Sequence, residues 1–326
     1  MTRIFNKGSL PRVATLAVIL ISAVFLSAQV SPDLASLNRP SNVPTGYVVT
    51  PFGYFHPFCV VKVDEGETIL ADGRLQHANG AVDAKAPVCN YPHYTASGRM
   101  LGPDMRNARG FVPAINGWLE YVSATTNTSY AQISATWPVP APPTIFQGQS
   151  LFFFPGFQDV NNSLSIVQPV LQYGQSAAGG GKFWGIASWN CCQSGVVWHS
   201  GLKKVNSGDT IFGSIKSACT KKNPNCGNWK ILTQDQTTGK KSTLAKTPAD
   251  GQVWNWAFGA VLEVYSVNQC SDFPADSSVL FTTQLYDQNN KLISDPGWVE
   301  SPAGSGISPQ CSYGLISTPT EETLQW

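Results

Sequence analysis

The stretch Ala131-Gln132-Ile133-Ser134-Ala135-Thr136-Trp137 alternates apolar and polar side chains over its whole length. Successive side chains of a β-strand point to opposite faces of a sheet, so a period of two indicates a strand with one buried face. This stretch therefore predicts a strand that belongs to a sheet packed on one side.

Similar short runs, bounded by Gly, Pro, Asn and Asp, recur on both sides of this stretch. They lie at Leu119–Ala124, Ser150–Phe154, Ile166–Tyr173, Phe183–Trp189, Val196–Ser200, Thr210–Ser217, Asn228–Asp235, Ser242–Ala245, Val253–Tyr265 and Ser278–Tyr286. No amphipathic helix longer than about two turns stands between them. Many short strands with short turns predict an all-β fold, an antiparallel β-sandwich of jelly-roll or concanavalin-like type.

The first 28 residues have the pattern of a secretory signal peptide. Arg3, Lys7 and Arg12 precede an apolar run, Val13–Ala28, that ends in small residues. An uncleaved membrane anchor is the alternative, although the run is short for a bilayer span. We expect cleavage near Ala28, export, and a secreted protein without a membrane segment.

The region 29–110 differs in composition from the remainder of the chain. It is rich in Pro, Gly and turn signals, with a strand-like patch at Gly46–Val63 and a possible hairpin across Ile69–Gly80. The sequence after Tyr91 is irregular, which predicts an accessory or pro-segment followed by an exposed linker.

Three arginines of that linker, Arg99, Arg106 and Arg109, are candidate processing sites. A pro-segment would cover a cleft until the linker is cut, as in a zymogen. A permanent N-terminal extension is the alternative. Residues 111–326 are then the sandwich domain.

All eight cysteines lie after the signal, at positions 59, 89, 191, 192, 219, 226, 270 and 311. An even number in an exported chain favours disulfides over free thiols or metal ligands. Local pairing predicts Cys59–Cys89, Cys219–Cys226 and Cys270–Cys311, which leaves Cys191 with Cys192. Asn127 and Asn161 begin glycosylation sequons, which matter only if the host glycosylates.

Charge is sparse and nearly balanced, with 13% charged residues and a formal net charge of +1. No basic patch of the kind that nucleic-acid binding requires is present. A surface with few carboxylates also loses little when they are protonated, which is compatible with an acidic working environment.

Several common catalytic motifs are absent. The sequence has no Gly-x-Ser-x-Gly elbow, no His-Glu-x-x-His and no glycine-rich phosphate loop. Of the four histidines, His56, His77 and His93 lie before residue 111, and His199 is expected at the surface end of a strand. We therefore predict no metal and no cofactor.

Glu263 lies inside Trp254–Tyr265, the most apolar strand of the chain after the signal. A carboxylate in such a strand is costly unless it is partnered, and burial raises its pKa. Perturbed carboxylates concentrate at functional sites, although a solvent-facing strand glutamate is the commoner arrangement. A second strand, Val170-Leu171-Gln172-Tyr173-Gly174, carries an uncharged amide in a similar apolar setting.

These two motifs resemble the glutamic peptidases of the eqolisin family, which pair a Gln in Ile-Leu-Gln-x-Gly with a Glu in Ile-Ile-Glu. Four further motifs occur in the family's order: Thr136–Pro140, Phe154–Phe157, Ser207–Ile211 and Thr237–Lys240. The similarity covers roughly residues 115–290 and implies a secreted β-sandwich acid protease. It implies Gln172 and Glu263 as the catalytic pair.

The chain departs from the family pattern in three places. Phe154 replaces a Trp, the family's nearby Asp corresponds to Gln158 or Asp159, and Ser188 stands where the family has a second Glu. Phe154, Trp184, Ser188, Trp189 and Trp256 are the candidate substrate contacts. Packing in the core is the alternative for each tryptophan.

The resemblance implies that Glu263 takes a proton from water and later delivers one to the leaving amine, while Gln172 donates to the oxyanion. The expected partner is a polypeptide substrate, bound by a monomer. A carbohydrate-binding β-sandwich module with exposed aromatic residues remains open. So does a glycan-active jelly-roll enzyme, which needs a second carboxylate near Glu263.

Overall fold

The structure is a computed structural model that describes Met1 and residues 39–101, 116–193, 195–219 and 227–326. The predicted signal peptide and the stretch 102–115, with Arg106 and Arg109, lie outside the described residues. Among the described residues, no helix is long and apolar enough to span a membrane.

The described part of the N-terminal region, residues 39–101, contains seven short strands. They are Val48–Thr50 (β1), Gly53–Phe55 (β2), Val60–Val63 (β3), Thr68–Ile69 (β4), Leu75–Gln76 (β5), His93–Tyr94 (β6) and Met100–Leu101 (β7). The hairpin expected across Ile69–Gly80 is confirmed as the β4–β5 pair. The stretch after Tyr91 is more regular than its sequence suggests, because β6 pairs with both β2 and β7.

Fifteen more strands lie among the described residues. They are Gly117–Thr125 (β8), Tyr130–Pro138 (β9), Ser150–Asp159 (β10), Asn162–Ser176 (β11), Gly179–Gln193 (β12), Val196–Ser200 (β13), Lys203–Lys204 (β14), Thr210–Ser217 (β15), Asn228–Asp235 (β16), Lys241–Pro248 (β17), Trp256–Tyr265 (β18), Ser278–Asp287 (β19), Val299–Ser301 (β20), Gly314–Ser317 (β21) and Glu321–Gln325 (β22). Single 3-10 turns lie at Pro57–Cys59 and Cys270–Asp272.

These strands form two large sheets, and the predicted all-β sandwich is confirmed. The first sheet has the order β20-β8-β18-β10-β11-β12-β13-β3, with β14 beside β12. The second has the order β17-β16-β15-β9-β19-β22-β21. Pairing is antiparallel except where β3, from the N-terminal region, joins β13 in parallel.

The sandwich core lies between the two large sheets. Alternate residues of the first sheet, such as Phe153 and Ile186, pack against Trp137, Ile211 and Phe281 of the second. The alternating stretch 131–137 lies within β9 and has Ile133, Ala135 and Trp137 buried, as its period predicted.

The other face of the first sheet is covered by a third layer from the N-terminal region. Residues such as Val49, Tyr54 and Phe55 share one apolar cluster with Phe152 and Val261. Both faces of the first sheet are therefore dry, and every residue of β10 and β18 is buried. This explains why the sequence of β18 reads as a continuous apolar run rather than as an alternation.

Two of the predicted disulfides are present. Cys59–Cys89 closes a loop within the N-terminal region. Cys270–Cys311 links the 3-10 turn after β18 to the segment between β20 and β21. Cys191 and Cys219 are disulfide-bonded as well. The residues expected to pair with them, Cys192 and Cys226, lie outside the described side chains, so those pairings stay predictions.

Two glutamates are buried on the sandwich side of the sheets. Glu120 of β8 accepts a hydrogen bond from the Gln325 amide, and Glu322 of β22 accepts one from the Thr283 hydroxyl. Burial outweighs these bonds and raises the pKa of each carboxyl to about 8. Both side chains are therefore neutral in the folded protein at acidic pH.

This burial predicts that the protein is more stable in acid than in alkali. A folded pKa of about 8 against an ordinary 4.5 means that stability is full below about pH 4.5 and falls as pH rises to about 8. For Glu322 the loss is on the order of 5 kcal/mol. Glu322→Gln, which stays neutral, should match the wild type in urea unfolding at pH 4.5 and exceed it at pH 9.

Glu65 is exposed and provides the control. Glu65→Gln should leave the difference between the two pH values unchanged. An equal alkaline loss in wild type and Glu322→Gln would contradict the assignment.

Candidate active site

Gln172 and Glu263 lie on one row of the first sheet. Gln172 is on β11, Glu263 is on β18, and Phe152 of β10 is the register partner of both. All three side chains therefore point to the same face. The two residues are not on adjacent strands, because β10 lies between β11 and β18. Their α-carbons are therefore roughly 10 Å apart, which is two strand spacings.

Glu263 is a buried carboxyl with two polar neighbours. It is 1% exposed, and the Tyr265 hydroxyl donates to its Oε1 at 2.5 Å. The indole of Trp118, its register partner on β8, also favours the ionised form. Burial is the larger effect and raises the pKa of Glu263 to about 8. In this form the side chain is a neutral acid at acidic pH.

The amide of Gln172 is held within the β11–β12 hairpin. Its Nε2 donates to the carbonyls of Gly174 at 3.2 Å and Gly179 at 2.9 Å, and its Oε1 accepts from the Ser176 hydroxyl at 2.8 Å. Gly180 has a φ of +131°, and a methyl group there would overlap the Gly174 carbonyl and lie 2.8 Å from Gln172 Nε2. The glycines thus hold the amide in one orientation.

The N-terminal region covers this row. The Tyr54 ring packs edge-on against Tyr265 at 5.4 Å between centroids. Gln172 and Glu263 are each 1% exposed, so the row lies beneath the cover and is not the floor of an open groove. An external ligand could reach the row only if the covering residues moved away from it.

The structure brings three of the five predicted substrate contacts to this face. Phe154, Trp189 and Trp256 are buried in the same apolar cluster as Phe152. Trp184 and Ser188 point to the opposite face, inside the sandwich, because alternate residues of β12 face opposite ways.

Ser188 is completely buried on that opposite face. Its hydroxyl lies 3.0 Å from that of Thr233 and donates to the Ser242 carbonyl at 2.8 Å. It therefore ties the two sheets together and does not reach the Gln172–Glu263 row. The same alternation excludes Trp184 from the row.

Sequence reasoning missed the residues that surround the pair. Tyr265 lies two positions beyond Glu263, so strand periodicity alone places both on one face. Trp118 and Tyr54 come from distant parts of the chain, and nothing in their local sequence marks them.

The expectation of a surface position for His199 was wrong. Its ring is 5% exposed and packs 4.9 Å from that of Trp189, and burial lowers its pKa. β13, which carries His199, pairs with β12 on one side and in parallel with β3 on the other, so it is an interior strand of the sheet. Among the described residues, no three His, Cys, Asp or Glu side chains gather in a way that could hold a metal ion.

No protein-family model and no curated protein matches the chain. Among solved structures, scytalido-glutamic peptidase with a peptide-based transition-state analogue is similar to this chain, with 14% sequence identity and a TM-score of 0.46. The alignment covers 64% of this chain and 97% of the peptidase chain. SCP-B, a member of the eqolisin family in complex with a tripeptide, has 14% sequence identity and a TM-score of 0.45, over 64% of this chain and 98% of that chain. A CBM2 module of a Lactobacillus casei phage Dit protein has 13% sequence identity and a TM-score of 0.26, over 68% of this chain and 91% of that chain. The likeness is one of β fold.

Removing the Tyr265 hydroxyl should raise the pKa of Glu263 further. The hydroxyl donates to Oε1 and so favours the ionised form, and Tyr265→Phe should shift the pKa upward by about one unit. The shift is measurable by carboxyl carbon NMR titration, with Glu263→Gln used to assign the signal. Tyr286→Phe removes a hydroxyl bonded to Gln284 at the surface and is the control. An unchanged pKa in Tyr265→Phe would rule out this role.

Proposed function

We propose that the protein is an exported acid endopeptidase of the glutamic type, in which Glu263 activates water and Gln172 stabilises the oxyanion. The observation that carries the proposal is the shared row of the first sheet, where both residues stand opposite Phe152. Each also lies in a strand motif that resembles its counterpart in the eqolisin family. The substrate is a polypeptide, and the enzyme acts as a monomer.

The residue types define the chemistry. The ionised Glu263 takes a proton from water, whose oxygen then attacks the carbon of the peptide carbonyl. The amide N–H of Gln172 donates to the oxygen that gains negative charge. Glu263 then passes the proton to the departing amine as the C–N bond breaks. The Ser176 hydroxyl donates to Oε1 of Gln172 and so fixes which end of the amide is the nitrogen. That nitrogen would exchange its bond to the Gly174 or Gly179 carbonyl for one to the oxyanion.

Residues 29–110 act as a pro-segment in this proposal. Under the cover Glu263 has no access to water, and its pKa of about 8 keeps it protonated in acid, so it cannot serve as a base. Removal of the cover admits water and lets the pKa return towards its ordinary range. One movement would thus open the site and ionise its base.

The processing and export steps are consistent with this proposal. Arg99, which belongs to the predicted linker, is exposed. The two disulfides suit a protein that matures outside the reducing cytosol. Asn127 and Asn161 are exposed, as glycosylation would require.

The alternative functions receive less support. A sugar-binding module needs exposed aromatic residues, yet nine of the ten tryptophans are at most 8% exposed. A glycan-active enzyme needs a second carboxylate near Glu263. The described groups that shift its pKa are Tyr265 and Trp118, neither of which is an acid.

The test is digestion of denatured casein between pH 2 and pH 7 by the full chain and its processed product. Glu263→Gln should lower kcat by roughly 10²- to 10⁴-fold, because the base is lost. Gln172→Ala should lower it by roughly 10²- to 10³-fold, because the oxyanion donor is lost. Glu321→Gln and Gln175→Ala are the matched controls and should keep wild-type activity. No proteolysis by processed wild type at any pH, or full activity in Glu263→Gln, would refute the proposal.

The pro-segment role predicts that the intact chain is inactive and that activity appears with loss of the N-terminal region. N-terminal sequencing of the active species should place its start between Arg99 and Gly117. An active species that retains residues 39–101 on the sandwich would instead make the region a permanent extension.

A further inference from the structure

The Gln172–Glu263 row continues beyond Gln172 and ends at a lysine. Gly185 of β12 is the register partner of Gln172, and Lys204 of β14 is the register partner of Gly185. Register partners share a face, so Lys204 stands on the face of the row, two strand spacings or roughly 10 Å from Gln172 between α-carbons. Lys204 is exposed, whereas Gln172 and Glu263 are buried. The row therefore reaches the surface at a cation.

Three further lysines lie close to Lys204, and we call the four residues the lysine cluster. Lys203 precedes Lys204, and Lys240 and Lys241 lie at the beginning of β17. Lys240 Nζ donates to the Lys204 carbonyl at 2.8 Å, which brings the two Lys-Lys pairs together. All four residues are exposed, and none takes part in an ion pair with another described residue. Their charges repel one another, and a bound anion would relieve that repulsion.

A cavity of about 570 Å³ opens beside the lysine cluster, a size typical of ligand pockets. Lys203 and Lys241 line it. Leu202 lines it as well, and its side chain takes the space that a side chain at Gly185 would need. Since Gly185 lies between Gln172 and Lys204 in the row, the cavity adjoins the row between these two residues.

The opposite wall of the cavity is acidic and belongs to the N-terminal region. It is the turn 64–67, in which Asp64, Glu65 and Glu67 all line the cavity. Asp64 pairs with Lys62, and Glu67 lies 2.6 Å from the His77 ring. Glu65 is exposed and is in no ion pair within the described part of the chain. The N-terminal region thus turns carboxylates towards the lysine cluster in this form.

We propose that the lysine cluster is a specificity site that binds an acidic side chain of the peptide substrate. The proposal rests on the proposed function and adds a substrate class to it. Removal of the N-terminal region would take away the acidic wall and leave the cationic one, which favours an anionic ligand. An extended chain advances about 3.3 Å per residue, so Lys204 would meet the third residue or so from the carbonyl that Gln172 holds.

The charges give this preference a defined pH range. The lysines stay protonated throughout the acidic range, whereas a free glutamate side chain has a pKa of about 4.3. The acidic residue is therefore bound as an anion above about pH 4.5, and the preference is lost as the pH falls below about 4. Because the cluster is exposed, 1 M NaCl should also suppress the preference, since charges are then screened within about 3 Å.

The test uses pairs of peptides that differ only by Glu or Gln at the third residue from the cleaved bond, on either side of it. For one of the two sides, processed wild type at pH 5.5 should cleave the Glu peptide with a kcat/KM about three- to fivefold higher, the gain expected from an exposed ion pair. At pH 3 the two peptides should be cleaved equally. Equal kcat/KM at pH 5.5 on both sides would overturn the site while the peptidase stands.

Lysine variants show whether the preference arises at this cluster. Lys204→Gln combined with Lys241→Gln should abolish it and leave kcat for the Gln peptide within twofold. Lys216 and Lys230 form an exposed register pair on β15 and β16, so replacing both by Gln is the matched control and should keep the full preference. A preference that survives in the first double variant, or that is lost in the control, would overturn the assignment.

Binding separates this inference from the proposed function. If wild type cleaves neither peptide, the proposed function fails, and the full chain carrying Glu65→Gln decides the site. The Glu peptide should then shift the NMR signals of the Gly185 and Lys204 amides more than the Gln peptide does, and Lys204→Gln with Lys241→Gln should remove the difference. Equal shifts would overturn the site. So would lysine-dependent binding of polygalacturonate without any difference between the peptides, which would assign the cluster to an acidic glycan.

Discussion

The structure depends on a sheet that is buried on both faces. One face of the nine-stranded sheet packs on the seven-stranded sheet, and the other is covered by residues from the N-terminal region. An apolar face of this size exposed to water would be costly, so the cover is a structural layer as well as a candidate regulatory one. The parallel β3–β13 pair attaches that layer to the sheet, and the Cys59–Cys89 bond cross-links the layer itself.

The exclusion of water from these layers also raises the pKa of the buried carboxyls. Glu263 lies under the cover and Glu120 and Glu322 lie within the sandwich, and burial raises the pKa of each to about 8. The two inside the sandwich are the reason why we expect the fold to lose stability in alkali. Glu263 differs because its burial depends on the N-terminal region, whose removal is proposed and not shown. Burial therefore underlies both the predicted loss of stability in alkali and the proposed inactivity of the covered base.

Strand periodicity predicted the positions of strands that have one solvated face. The alternation of 131–137 corresponds to β9, and short apolar runs and turn residues account for the positions of most strands between 117 and 287. The strands after residue 298 were not predicted, because β20, β21 and β22 are short and mostly polar outwards. The parallel addition of β3 was also not predictable, since it joins segments more than 130 residues apart, and it buries His199 where a surface position was expected.

Among the candidate site residues, Gln172 and Glu263 were chosen from local sequence, because each is a polar residue within a short apolar run. It was not enough to choose their companions. Trp184, Ser188 and Trp189 lie within six residues of one another, yet only Trp189 shares the face of the pair, because β12 turns alternate residues to opposite sides.

The sequence by itself determined the all-β class, two of the disulfides and the two polar residues that stand out from their strands, because these depend on local pattern and composition. Only the tertiary structure decided that Gln172 and Glu263 share a row, that Tyr265 and Trp118 surround the carboxyl, and that residues 39–101 lie over both. Those facts depend on which strands become neighbours and on which face is covered. Contacts between distant segments decide both, and no local pattern encodes them.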